Sequence, residues 1–317
     1  MLVATLSGDC CRGGLVSEPG LGGFAAPSKE SVALIILTLN QREATLRCLQ
    51  SVVRSTGIPV HVLLWDNGSA DGTTDTVRAQ YPDVLVLRSE SNLGVAGGRN
   101  AAAEAAIERW HPKYLFFMDN DMEIDPQCVR ELAAAMQADP LTAQATGKIR
   151  ILGREAQLYG AGGCVLDFRH GKTGHVAHGE HDDGRFDRPG PCLPSGGCMM
   201  IRTDVFRALG GFDTIFNPYG PEDLDIGLRL RKAGYSAVYV PSAVVFHEAT
   251  PGHTGGGGMH SWKYVCRKAQ HWLILLHRHA TLREQAYFYF IGGPTLALFV
   301  LWRRVAGVLA DNAKQRS

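Results

Sequence analysis

The chain has 317 residues, is 45% hydrophobic and 20% charged, and carries a formal net charge of +1. That composition suits an ordinary globular core, and the near-neutral balance lacks the basic field of a nucleic-acid binder. Its eight cysteines (Cys10, Cys11, Cys48, Cys128, Cys164, Cys192, Cys198 and Cys266) include no C-x-x-C pair. Reduced thiols in a cytosolic protein are expected, rather than a zinc or disulfide framework.

Residues 1–30 lack a sustained apolar core, and Gly, Ser, Pro and Cys break them up, so they read as a mobile tail and not as a secretory signal. Val32 to Leu37 is a near-continuous apolar run, as in a strand covered on both faces. Arg42 to Val53 places Leu46, Leu49, Val52 and Val53 at helical spacing. Val60 to Trp65 predicts a second strand that stops at Asp66-Asn67-Gly68-Ser69. Asp71-Gly72-Thr73-Thr74 then opens a short helix. Val84 to Leu87 is a third strand, Ala96 to Ile107 an Ala-rich helix, and Tyr114 to Met118 a fourth strand. This alternation predicts βαβ units and a mostly parallel sheet whose strand ends share one edge.

Gly153 to Pro194 is rich in Gly, His and Asp and reads as loops with short strands such as Gly163 to Phe168. Its histidines His170, His175, His178 and His181 match no zinc spacing, so a mobile acceptor loop with solvated histidines is expected. Gly197 to Ile201 resumes an apolar strand, and Thr203-Asp204 can cap a short helix to Leu209. Glu222 to Lys232 is helical, acidic at its start and basic at its end, and Gly234 closes it. Gly255 to Gly258 is a hinge by composition. Ala286 to Trp302 contains no charged residue and is followed by Arg303-Arg304. The run is short for a membrane span and is interrupted at Gly292-Gly293-Pro294. A helix lying at a membrane face and a helix packed on the domain or a dimer partner both remain open.

The chemistry starts at Asp119-Asn120-Asp121, where an apolar strand ends in carboxylates one residue apart. Buried carboxylates need partners, and open α/β sheets bind ligands at strand carboxyl ends. Hard divalent ions commonly join one or two carboxylates to substrate phosphates, so a metal-diphosphate site is predicted.

With Asp66-Asn67-Gly68-Ser69-x-Asp71-Gly72-Thr73, Asn92-Leu93-Gly94-x-Ala96-Gly97-Gly98-Arg99-Asn100, Glu222-Asp223-x-Asp225-x-x-x-Arg229-x-Arg231 and His247, these residues stand in an order that resembles family 2 glycosyltransferases. The resemblance covers roughly Ser31 to His247. It leans toward rhamnosyltransferase and galactofuranosyltransferase-like members through N-x-G-x-A-G-G and Gly210-Gly211-Phe212-Asp213.

The resemblance implies a GT-A fold: an α/β, Rossmann-like sheet flanked by helices over residues 31–254, with a C-terminal helical appendage over 255–317. It implies an inverting, single-displacement transfer from a UDP-, dTDP- or GDP-linked sugar to a glycan, lipid-linked or small-molecule acceptor. Asp223 is the implied general base, with Glu222 beside it and at the acceptor. Asp119, Asp121 and His247 are the implied ligands of Mg2+ or Mn2+. Thr38, Asn40, Asp66, Asn67, Asn92, Gly94, Arg99, Asp119 and Asn120 are assigned to the nucleotide sugar, and Gly196 and Gly197 to the acceptor. Arg99 reads either as a diphosphate contact, assisted by the helix N-terminus, or as a solvated helix arginine. Work at the cytoplasmic membrane face and a homodimer both fit.

Two rivals are weaker. A sugar nucleotidyltransferase wants a Gly-rich basic loop after the first strand, where this chain has Thr38-Leu39-Asn40-Gln41-Arg42. A catalytically inactive nucleotide-sugar-binding domain would not need Asp119, Asp121 and Asp223 intact.

Overall fold

The computed structural model describes residues 31–194, 196–248 and 262–298. The N-terminal tail, the Gly255 to Gly258 hinge and the end of the apolar C-terminal run lie outside the described residues. β1 (Val32–Thr38), α1 (Arg42–Val52), β2 (Val60–Asp66), α2 (Thr73–Gln80), β3 (Leu85–Arg88), α3 (Gly94–Trp110) and β4 (Tyr114–Asp119) alternate as their hydrophobic patterns predict. Successive strand residues feed opposite cores. Val32, Leu34 and Ile36 join Leu49 and Val77 on one face. Ala33, Ile35, Leu115 and Phe117 join Ala102 and Ala106 of α3 on the other. Both faces of these strands are therefore dry, which explains their unbroken apolar runs.

β1 runs parallel to β2 and to β4, and β2 runs parallel to β3. The register sets Thr38 opposite Asp66 and Leu37 opposite Asp119, so both aspartates stand on the carboxyl edge.

The chain continues through β5 (Met122–Ile124), α4 (Cys128–Ala138), β6 (Thr142–Ile151), β7 (Arg154–Gly160), β8 (Cys164–Asp167), β9 (Lys172–His175), β10 (Gly190–Pro191), β11 (Cys198–Arg202), α5 (Thr203–Ala208), α6 (Glu222–Lys232) and β12 (Ser236–His247). The main sheet has the order β10-β12-β6-β11-β4-β1-β2-β3. β11 runs antiparallel to both β4 and β6, whereas β12 runs parallel to β6, so the whole sheet is mixed. Thr203 is the first residue of α5 rather than its cap, and its hydroxyl has no partner.

β6 is central yet carries no apolar run. Gln144, Thr146 and Lys148 are buried within it and interrupt the pattern. Thr146 Oγ1 donates to the Cys198 carbonyl at 2.6 Å, and Lys148 Nζ pairs with Asp182 at 2.8 Å, so burial there is compensated by partners remote in sequence. Gly147 of β6 faces β12 closely, and a Cβ at that position would lie 2.2 Å from the Ala243 carbonyl oxygen. Gly147→Ala should therefore destabilise the fold by about 2 kcal/mol through overpacking. Denaturant unfolding checks this, and an unchanged midpoint would mean that the two strands can part.

α7 (Trp262–His279) and α8 (Leu282–Tyr287) form the appendage. Leu275, Leu276 and Phe288 pack against Phe168, Phe216 and Leu224. His279 Nε2 lies 2.8 Å from the buried Asp225 Oδ1, and Arg229 Nε donates to Asp225 Oδ2 at 2.7 Å, which ties α7 to α6. The expected break at Gly292-Gly293-Pro294 is instead a π-helical turn over Phe288–Gly292, with helix continuing over 293–298. The wide turn suits a proline without an N–H. A Cβ at Gly292 would lie 1.8 Å from the Arg169 carbonyl oxygen, so the glycine permits close docking. The appendage thus packs on the domain, while Leu282, Phe290, Ile291 and Leu298 remain exposed. Among the described residues no helix is long and apolar enough to cross a membrane.

Candidate active site

Strand polarity and the α6 N-terminus bring three of the predicted carboxylates, Asp119, Glu222 and Asp223, to one cavity of about 410 Å3. Asp119 enters from β4, Arg99 from α3, Glu222 and Asp223 from α6, His247 from β12, and Gly196 and Gly197 from the turn before β11. The turn is placed by the antiparallel β4–β11 pair, and Asp119 N donates to the Gly197 carbonyl at 3.1 Å.

Arg99 is no solvated helix residue. Its guanidinium is buried, with Nη2 2.7 Å from Asp119 Oδ1 and Nη1 3.2 Å from Glu222 Oε1. Burial works against its charge, but Asp119, Glu222 and Asp223 outweigh it and hold the guanidinium above its usual range. Glu222 is itself buried. Burial and the neighbouring Asp223 push its carboxyl up to about 7, against the pull of Arg99.

Asp223 is better exposed to the cavity. Its Oδ2 accepts from Gly196 N at 2.8 Å and its Oδ1 from Leu224 N at 2.8 Å, so the carboxylate is held at the helix start. A Cβ at Gly196 would come within 2.9 Å of Asp223 Oδ2, which ties this glycine to the carboxylate's position.

His247 reaches Asp121 because β5 pairs antiparallel with β12, setting Met122 opposite His247. His247 Nε2 lies 3.8 Å from Asp121 Oδ1, an oxygen that is buried without a hydrogen-bond partner. Burial and Asp119 raise the Asp121 carboxyl, with His247 opposing. His247 Nδ1 is 2.9 Å from the Glu248 carbonyl, which directs the Nε2 lone pair toward Asp121. An orphan carboxylate oxygen and an imidazole nitrogen suit a divalent cation with substrate oxygens completing the shell. Asp119 carries one oxygen on Arg99 and is 42% exposed at its side chain, leaving the other oxygen available. No ready cluster of three or more such ligands occurs among the described residues.

The remaining predicted donor-site residues form a hydrogen-bonded platform beside the cavity and do not line it. Asp66 is fully buried. It accepts from Gly68 N at 3.1 Å and Ser69 N at 2.7 Å, and from the Thr74 hydroxyl, so its observed role is to shape the turn. Thr38 and Asn120 are buried together around the Thr45 hydroxyl. Asn67 Nδ2 donates to Asn92 Oδ1 at 2.9 Å and to the Gly94 carbonyl at 3.1 Å. Asn40 lines a separate hollow of about 400 Å3 with Arg42, Asp71 and Glu248.

The α3 N-terminus does not offer free amides to a diphosphate, which corrects that expectation. Gly94 N donates to Asn92 Oδ1, Val95 N to the Pro218 carbonyl, and Ala96 N to Asn217 Oδ1. Gly94 has φ +74°, and a Cβ there would meet Asn217 Oδ1 at 2.4 Å, so glycine admits this cap.

Several cavity residues carry no motif. Tyr159 of β7 stacks on His247 at 4.2 Å between ring centroids. His175 of β9 lines the cavity, and burial lowers its imidazole below the usual range. The histidine segment is therefore partly built into β9 and onto Tyr159, rather than being a solvated loop throughout. Lys268 and Trp272 of α7 close the other wall. Only the density of histidine and aromatic residues hinted at the first group, and nothing local marked the second.

Comparison with known proteins bears on this arrangement. Residues 33–210 match the model of Glycosyl transferase family 2, and residues 186–250 match one described as N-terminal domain of galactosyltransferase. The N-acetylglucosaminyl-diphospho-decaprenol L-rhamnosyltransferase of Mycobacterium tuberculosis (strain CDC 1551 / Oshkosh) is 33% identical over 218 residues, covering 63% of this chain and 70% of the relative. A crystal structure of GalNAc-T7 with UDP, GalNAc and Mn2+ superposes with TM-score 0.65 at 18% identity, over 82% of this chain. This chain spans only 50% of that protein. The mannosyltransferase PcManGT from Pyrobaculum calidifontis, in complex with GDP-Man and Mn2+, superposes with TM-score 0.55 at 21% identity, covering 91% of this chain and 81% of that one. The two structural likenesses show the GT-A fold.

Proposed function

The chain belongs to glycosyltransferase family 2, and from that premise we propose an inverting, metal-dependent transfer of a sugar from a nucleoside diphosphate to an acceptor hydroxyl. What supports it most is the convergence of Asp223 with the Asp119 and His247 edge on one cavity. Asp223 takes the acceptor proton as the hydroxyl oxygen attacks the anomeric carbon from the side opposite the diphosphate. The base faces an open cavity and is oriented by the Gly196 and Leu224 amides. Asp121, His247 and the free oxygen of Asp119 would hold the cation. When bound, a divalent ion neutralises charge on the departing diphosphate without a proton. Arg99 keeps Asp119 and Glu222 together and is too fully engaged with them to be assigned to the diphosphate.

The hollow lined by Asn40 and Glu248, the residue after His247, offers the nucleoside a place beside the metal edge. The rhamnosyltransferase relative, by its name, acts on a sugar carried by a lipid diphosphate, which favours such an acceptor here and work at the cytoplasmic membrane face.

The test is nucleotide-sugar turnover with and without a chelator. Asp121→Ala should lower Mn2+ affinity and turnover by more than about 10- to 100-fold, the loss that follows removal of a partner that merely orients a metal ligand. Turnover indifferent to both chelator and substitution would remove the metal from the reading.

A further inference from the structure

We propose that Lys268 of α7 is a specificity-determining residue that binds a phosphate group on the acceptor. This deepens the transferase reading and rests on it. The cavity wall is strongly acidic, with Asp119, Glu222 and Asp223 on it. Its arginine, Arg99, is buried between two of these carboxylates. Lys268 also lines the cavity, and its described contacts are with aromatic rings rather than with carboxylates. Its ammonium lies over the rings of Tyr219 and Tyr264, at 5.4 and 5.7 Å from their centroids. Those contacts direct the charge while leaving its N–H donors available to an anion.

The position of Lys268 selects acceptor over donor. α7 is built onto the segment that leads into the general base. Arg267 Nη1 donates to the Asn217 carbonyl at 3.3 Å, and His271 packs edge-on to Phe216 at 5.7 Å. Tyr219, beneath Lys268, is followed by Gly220, Pro221, Glu222 and Asp223. A general base must reach the acceptor hydroxyl, so the wall beside it is the acceptor wall. The proposed donor diphosphate edge instead comes from β4 and β12. A phosphate-bearing acceptor can place its sugar hydroxyl at Asp223 and its anion at Lys268. The aromatic wall runs on from Trp272 to Phe288, whose neighbours Tyr289 and Phe290 are exposed, a surface suited to the lipid end of such a molecule.

The experiment compares two synthetic acceptors, an N-acetylglucosaminyl diphosphate with a short lipid tail and the same sugar and tail joined as a simple glycoside. Binding is read by tryptophan fluorescence on protein loaded with Mn2+ and nucleoside diphosphate, and turnover by nucleoside diphosphate release. In the native protein the diphosphate acceptor should bind at least tenfold more tightly. Lys268→Ala should abolish that preference, Lys268→Arg should restore most of it, and the glycoside should bind both variants within twofold of native. Donor affinity should not change. Equal weakening of both acceptors, weaker donor binding, or an unchanged preference would each overturn the assignment. Failure of the native protein to turn over any nucleotide sugar would instead overturn the transferase reading, and the affinity ratio would still decide Lys268.

Discussion

Asp223→Asn should lower sugar transfer by about 100- to 10,000-fold, the usual contribution of a general base. Nucleotide-sugar affinity should stay within a few fold. The substitution keeps the shape of the side chain, and an Asn oxygen can still accept from Gly196 N, as Asp223 Oδ2 does at 2.8 Å. What it removes is the capacity to take a proton, together with the oxygen that accepts from Leu224 N. The measurement is single-turnover transfer alongside nucleotide-sugar binding on the same preparation. Full transfer by this variant would exclude Asp223 as the base. Loss of donor binding in parallel with transfer would place Asp223 in the donor site instead.

Arg99→Met should cost about 3–5 kcal/mol of stability, because it leaves carboxylates without their buried partner. Glu222, 3.2 Å from the guanidinium, is the more affected, since it is buried while Asp119 is half-exposed. The pH dependence has a definite sign. The Glu222 carboxyl is already raised from 4.5 to about 7, so the folded state binds a proton more tightly than the unfolded state. Stability linked to Glu222 is therefore present below the unfolded value and falls as pH rises toward the folded one. Without Arg99 that value rises further, so the deficit of the variant should be larger at about pH 8 than at about pH 5. Adding Glu222→Gln to Arg99→Met should recover part of the loss. Denaturant unfolding at both pH values checks each point, and a deficit independent of pH would remove Glu222 from the explanation.

Much of the candidate site's edge was legible in the sequence, because strand ends are local features. Tyr114 to Met118 is long and apolar enough to be a buried strand, so Asp119 had to emerge at its carboxyl end. The Glu222 to Lys232 helix carried its own end signals, and the structure reproduces those bounds. β6 was hidden for the opposite reason. Its buried Gln144, Thr146 and Lys148 look like loop residues until their partners are known.

Arg99 illustrates the same limit within the site. Its place after Gly97-Gly98 was compatible with a phosphate contact or a solvated face. Packing of α3 against α6 put Glu222, 123 residues away, beside it. Likewise the α3 N-terminus looked open to an anion, until the segment at Asn217 and Pro218 folded over its amides.

By itself, then, the sequence determined the alternating elements up to β4 and which carboxylates reach the sheet edge, since hydrophobic period and strand polarity act over a few residues. Tertiary structure decided which of those groups are charge-paired, which nitrogen faces the orphan oxygen of Asp121, and that α7 brings Lys268 to the cavity. Those outcomes depend on desolvation and contact between segments far apart in the chain, and no local pattern records them.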